Sequence, residues 1–162
     1  MKVAIGSDHA GHELKRELAA FVAELGHRVA DLGNAVFDPV DDYPDFARLV
    51  GVAVARGEAD RGIIVCGSGV GASIAVNKVP GARGGVCHDT FSARQGVEDD
   101  DANVMTIGSR VVGGSLAREV VAAFLGAKFS GAPRHARRLE KVKQIELDAR
   151  TGVFEFPEGK KP

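Results

Sequence analysis

Several features that would place the chain in a large class are missing or scarce. It has only two cysteines, Cys66 and Cys87, too few for a disulfide framework or a cysteine-rich zinc set. Neither charge is in surplus: 21 Lys and Arg face 22 Asp and Glu, a formal net charge of −1. That balance argues against the electrostatic footprint of a nucleic-acid binder. No run of about 18 apolar residues occurs, so no membrane-spanning helix is expected. Met1-Lys2-Val3-Ala4-Ile5-Gly6 reads as a strand start and lacks the length of a signal-peptide core, which makes a cytoplasmic protein the expectation. There is no internal repeat and no sign of a second domain. A chain of 162 residues is one domain of ordinary size, able to bury a sizeable core.

Glycine, by contrast, is plentiful. The 21 glycines stand singly at the ends of apolar runs, where they punctuate strands and helices. Val3-Ala4-Ile5 is a short strand, followed by the turn Gly6-Ser7-Asp8-His9-Ala10-Gly11. Leu14, Leu18, Phe21, Val22 and Leu25 then recur at helical spacing, and Gly26 stops the helix. Residues 28–32 read as strand two. A loop over 33–43 leads to Pro44, suited to a first helical turn, with Phe46, Leu49, Val50 and Ala53 on the inner face. Residues 62–66 are strand three, 70–78 a helix, 85–87 strand four, and 90 to about 97 a helix. Residues 104–107 are strand five, closed by Gly108-Ser109-Arg110. Leu116, Val120, Val121 and Phe124 mark the next helix. A last one carries Leu139, Val142 and Ile145 on its apolar face.

This alternation predicts an α/β fold: a doubly wound five-stranded parallel sheet in a Rossmann-like three-layer sandwich. A single domain is expected over residues 1–150, with a polar tail over 151–162. Ligands on such sheets bind beyond the carboxyl ends of the strands. The turns after strands one, three, four and five are therefore expected to converge.

One stretch concentrates the chemistry: Ile63-Ile64-Val65-Cys66-Gly67-Ser68-Gly69-Val70-Gly71-Ala72-Ser73-Ile74-Ala75. It reads as strand, tight loop and helix start, which presents backbone N–H groups to an anion. The glycines let the main chain come close. It does not read as a dinucleotide fingerprint, since the spacing is Gly-x-Gly-x-Gly and it follows the third strand instead of the first. A cysteine phosphatase would have arginine where Ala72 stands, and an ATPase loop would have Lys before Ser or Thr where Ala72-Ser73 stands. An anion cradle without a nucleotide signature is left. Cys66 is either a small buried hydrophobe or a reactive thiolate, and its place before a helix favours the second. Asp8 and His9 are either turn residues or ligand contacts aimed at the same edge. Arg134 and Arg138 would share a helix face. Solvated arginines are the bland reading; with Arg110, a phosphate clamp is the sharper one. His12 and His27 read as surface residues, and His88 stays open.

Gly6-Ser7-Asp8-His9-Ala10-Gly11, Asp42-Tyr43-Pro44, Cys66-Gly67-Ser68-Gly69-Val70-Gly71, Asn103-Val104, Gly108-Ser109-Arg110-Val111-Val112-Gly113 and the Arg134/Arg138 pair together resemble the type B ribose-5-phosphate isomerases. Galactose-6-phosphate isomerase subunits are in the same family. The resemblance runs in order from about Met1 to Ile145. It implies an aldose–ketose isomerase of a sugar phosphate that works through an enediolate without metal or organic cofactor. By that resemblance Cys66 is the base between C1 and C2, Ser68 shuttles a proton between oxygens, and the N–H groups of Gly67, Gly69, Val70 and Gly71 cradle the enediolate. Asp8, His9 and Tyr43 would touch substrate, while Arg110, Arg134 and Arg138 would hold its phosphate. A homodimer or homotetramer with sites shared between subunits is implied as well.

The chain departs from the family at Glu98-Asp99-Asp100-Asp101-Ala102-Asn103. Relatives carry His-Asn-Asp there, so the ring-opening histidine aligns with Asp99 and the following asparagine with Asp100. Adjacent carboxylates disfavour one another's charge, which would let Asp99 serve as an acid. An open-chain substrate offers a second explanation, because a tetrose 4-phosphate cannot close a furanose ring. Ribose 5-phosphate and ribulose 5-phosphate are the default pair. The alternatives are an open-chain tetrose 4-phosphate, a hexose 6-phosphate, or a sugar-phosphate binder without catalysis.

Overall fold

The chain folds as the alternation of its elements requires, in a computed structural model that describes residues 1–153. Strands β1 (Lys2–Ser7), β2 (Arg28–Asp31), β3 (Arg61–Cys66), β4 (Gly84–Val86) and β5 (Val104–Gly108) are all parallel, in the order β2-β1-β3-β5-β4. Around them lie α1 (His12–Glu24), α2 (Tyr43–Ala55), α3 (Val70–Val76), α4 (Thr90–Asp100), α5 (Gly114–Gly126) and α6 (Pro133–Thr151). The doubly wound five-stranded α/β sandwich is thus present.

Strand β3 shows why. After Arg61 its five residues are buried in unbroken succession, the pattern of a strand covered on both faces. The period of two then divides the core. Ile63 and Val65, with Val3, Ile5, Met105 and Ile107, pack on Leu18 and Val22 of α1, Val97 of α4 and Phe124 of α5. Ile64 and Cys66, with Ala4 and Val104, face Val50 of α2 and Val76 of α3. Each of these large side chains contributes roughly 1.5–3 kcal/mol by leaving water. From β1 the chain steps to β2 on one side, and the next crossover lands on β3 at the other. Helices α1 and α2 therefore cover opposite faces, and a crevice opens beyond the carboxyl ends of β1 and β3.

Some expectations need correction. Leu49 does not face inward; it is 50% exposed, while Phe46, Val50 and Ala53 are buried. His12 is no surface residue: it is buried at the start of α1, edge-on to the Phe37 ring. Helix α3 stops at Val76, and α4 runs on to Asp100. The apolar face of α6 is real, yet of its apolar residues only Leu139 is buried; Val142 and Ile145 stay exposed, with no layer of the described residues over them. Thr151 still belongs to α6, and of the expected tail residues 154–162 lie outside the described part.

Candidate active site

The carboxyl ends of β1, β3 and β5 surround an open cleft of about 430 Å³. The turn after β1 brings Asp8, His9 and Ala10. The loop after β3 brings Cys66, Gly67, Ser68 and Gly71, and the turn after β5 brings Arg110 and Val111. Tyr43, at the start of α2, closes one side. Two glycines make this shape possible. Gly69 has φ +81°, a left-handed conformation that costs a side chain energy, and it turns its N–H back to the Cys66 Sγ at 3.1 Å. Gly71 leaves room for the tyrosine, since a Cβ there would stand 2.8 Å from the Tyr43 ring. Ser109 ties the rim together. Its N–H donates to the Cys66 carbonyl at 2.8 Å, and its hydroxyl donates to the Ala10 carbonyl at 2.6 Å.

The charges of the cleft have identifiable causes. Burial pushes the Asp8 carboxyl above its ordinary value, while the Gly11 N–H and His9 act against that shift. Hydrogen bonding to Asp41 raises the His9 pKa, so the ring keeps its proton to higher pH. Asp41 Oδ1 accepts from the His9 backbone N–H and lies against the ring Nδ1, both at 2.8 Å. That leaves Nε2 as the ring nitrogen available to a ligand. Arg110 reaches over the first glycine of the loop, its guanidinium carbon 3.7 Å from where a Gly67 Cβ would be. The cleft thus offers one thiol, two hydroxyls, one buried carboxyl, one guanidinium and an imidazole whose pKa is raised. This set suits proton transfer on an anionic substrate.

A model of the ribose/galactose isomerase family matches residues 3–142. The chain belongs to that family. It is a sugar-phosphate isomerase. Ribose-5-phosphate isomerase B of Escherichia coli (strain K12) is 46% identical over 145 residues, covering 90% of this chain and 96% of that one. The D-erythrulose-4-phosphate isomerase of Pectobacterium atrosepticum is 37% identical over 149 residues, covering 90% and 95%. Among solved structures, ribose-5-phosphate isomerase B of Clostridium thermocellum superposes with a TM-score of 0.88 at 49% identity, covering 92% of this chain and 99% of that one.

Within this isomerase the expected site residues fall into two groups. Asp8, His9, Tyr43, Cys66, Gly67, Ser68, Gly71 and Arg110 meet in the cleft. Gly69 and Val70 belong to the same loop, but their N–H groups already point at the Cys66 sulfur and, at 3.3 Å, the Ser68 hydroxyl. Asp99, Asp100, Arg134 and Arg138 do not line the cleft of their own chain. Asp99 sits in the last turn of α4 and Arg134 in the first turn of α6. Asp100 borders a separate hollow beside Gly84 and Gly85.

The turn after β4 also stays out of the cleft. Its His88 instead accepts the Gly108 N–H through Nε2 at 3.0 Å and braces β5. Sequence reasoning passed over Asp41, Ser109 and His135. Asp41 is one of several aspartates in a loop, and nothing local distinguishes the one that folds back 32 residues to His9. A larger hollow, about 640 Å³, lies between Lys78, Pro80, Val142 and Glu146; no cysteine, serine or histidine is among the described residues that line it.

Proposed function

We propose that this isomerase interconverts ribose 5-phosphate and ribulose 5-phosphate through an enediolate, with Cys66 as the base. The observation that carries the proposal is the Cys66 sulfur on the cleft wall, with the Gly69 N–H 3.1 Å away to meet negative charge. In the open-chain aldose the Cys66 thiolate takes the C2 proton, and the electron pair moves onto the C1 carbonyl oxygen. The same sulfur returns the proton to C1, while the Ser68 hydroxyl passes a proton from O2 to O1. The thiolate is thereby regenerated. Asp8 and Tyr43 orient the hydroxyls, and Arg110, with the His9 ring whose pKa Asp41 raises, attracts the phosphate. The names of the E. coli and C. thermocellum relatives support this substrate pair.

Arg134 and Arg138 complete the phosphate clamp from a second copy in a homodimer or homotetramer. Two findings support that reading. Both arginines lie outside their own cleft, and Val70, Ile74, Val142 and Ile145 are left exposed in a single chain.

A specific observation favours a second reading, an open-chain tetrose 4-phosphate as substrate. By the family resemblance Asp99 takes the place of the ring-opening histidine, and a relative is named as a D-erythrulose-4-phosphate isomerase. The test is turnover of ribose 5-phosphate and of D-erythrose 4-phosphate side by side, with Cys66→Ala as control. Fast ribose turnover establishes the first reading, and tetrose turnover alone establishes the second. Full activity of Cys66→Ala on either sugar moves the base to another residue.

A further inference from the structure

His135 belongs to the region away from the cleft and is only 4% exposed, yet both of its ring nitrogens are engaged. Arg134 donates its Nε–H to His135 Nε2 at 2.7 Å. An accepting Nε2 carries no proton, so the ring is neutral with its proton on Nδ1. Nδ1 faces two oxygens, the Ser130 Oγ at 2.7 Å and the Asp99 Oδ1 at 3.4 Å. The second oxygen of Asp99 accepts from the Gln95 amide at 3.2 Å. Ser130 is itself fixed, because its N–H donates to the Glu98 carbonyl at 2.9 Å and its Oγ accepts from the Ala132 N–H at 3.3 Å. The last turn of α4 is thus tied through one imidazole to the first turn of α6.

This arrangement has a direction. A carboxylate beside Nδ1–H makes the far nitrogen a better acceptor, as outer partners do for ligating histidines. A guanidinium held by its Nε keeps the two terminal nitrogens as a free fork, the geometry that suits a phosphate. We propose that Asp99 and His135 are positioning residues for Arg134: the imidazole grips the Arg134 Nε and the remaining fork is presented to the substrate's phosphate. The Ser130 hydroxyl holds Nδ1–H, and the Asp99 carboxylate 3.4 Å from Nδ1 strengthens Nε2 as an acceptor. The inference rests on the reading that Arg134 binds phosphate. It gives Asp99 a task other than opening a sugar ring. Both of its carboxylate oxygens already face partners within the chain.

The full chain and its Asp99→Ala, Asp99→Asn and Arg134→Lys variants test this, with inorganic phosphate as the probe. Affinity is read by calorimetry, and KM and kcat are read separately on ribose 5-phosphate and D-erythrose 4-phosphate. Asp99→Ala weakens phosphate binding about three- to tenfold and raises KM by the same factor, the size expected for one loosened charge-assisted contact. Asp99→Asn loses less than Asp99→Ala, since it keeps the side chain's size beside Nδ1 and gives up only the charge. In an Arg134→Lys background, which lacks the Nε donor, Asp99→Ala adds no further loss. Unchanged phosphate affinity in Asp99→Ala overturns the proposal, as do equal losses in the Ala and Asn variants or full additivity with Arg134→Lys. A wild-type chain that binds phosphate but turns over neither sugar overturns the proposed substrates instead and leaves the affinity comparison intact.

Discussion

Cys66 and Cys87 begin from nearly the same position in the fold. Both lie at the carboxyl end of a parallel strand, both are buried, and a helix begins within four residues of each. Their surroundings then diverge. After Cys66 the helix cap is Gly69, which has no side chain, so its left-handed backbone aims an N–H at the sulfur. After Cys87 the cap is Asp89, whose own carboxylate accepts the Ser92 N–H at 2.7 Å and fills the helix start with negative charge. The Cys87 sulfur turns to the Gly85 carbonyl at 3.6 Å instead. Burial, with Asp89 nearby, pushes its thiol up to about 11. A strand end before a helix therefore does not make a cysteine reactive. The cap residue decides whether the helix's donors remain for the sulfur.

The sharpest way to break this comparison is to remove each sulfur in turn. Cys66→Ala is expected to lower kcat by roughly 10²- to 10⁴-fold, the range for loss of a general base. Cys87→Ala should leave kcat and KM within about twofold. Equal losses in both variants would show that the cysteines are not functionally distinct. The next effect is on stability. An unfolded Cys87 loses its proton near 9.0, while the folded one keeps it to about 11. Between those values the unfolded state binds fewer protons, so stability falls as pH rises and gains nothing from this group below the window. The fall amounts to about 2–3 kcal/mol across the window. Denaturant midpoints at pH 8.5 and 10.5 should show a steeper alkaline decline in the wild type than in Cys87→Ala.

The difference between the two cysteines also marks how far the sequence was readable. The sheet was legible because β-branched runs ending in glycine leave few alternatives, and the Cys66 loop was legible because three glycines in five residues have no other use there. Cys87 was read only as a strand end, since its raised pKa depends on burial under α4 and α5 and on the nearby Asp89. Likewise, Asp41 and His135 act through partners distant in sequence or on another helix, a relation that no local pattern encodes. The position of Leu49 failed for a different reason. Helical periodicity gives the width of an apolar face, but the neighbouring elements decide which edge of it is covered. Asp99 and the two arginines were placed in the site by resemblance, and the fold of one chain does not bring them to the cleft.

Two smaller effects sharpen the role of the caps. Gly69→Ala puts a Cβ 3.2 Å from the Ile107 carbonyl carbon in a left-handed backbone, at a cost of about 1–2 kcal/mol. Relaxing that strain swings the N–H away from Cys66. A drop in kcat of about tenfold should accompany the lower unfolding midpoint, whereas an unchanged kcat would mean that the Gly69 N–H does not serve the sulfur.

Asp89→Ala makes the converse change at the other loop and should have the smallest effect. It removes the acceptor for the Ser92 N–H and the negative charge beside Cys87, so the unfolding midpoint falls slightly and the thiol ionises below its wild-type value of about 11. Alkylation of Cys87 followed against pH by peptide mass spectrometry reads this shift directly. If the alkylation profile of Cys87 is the same with and without Asp89, burial alone keeps that thiol inert. The contrast with Cys66 would then lie in the packing around each sulfur and not in the residue that caps the helix.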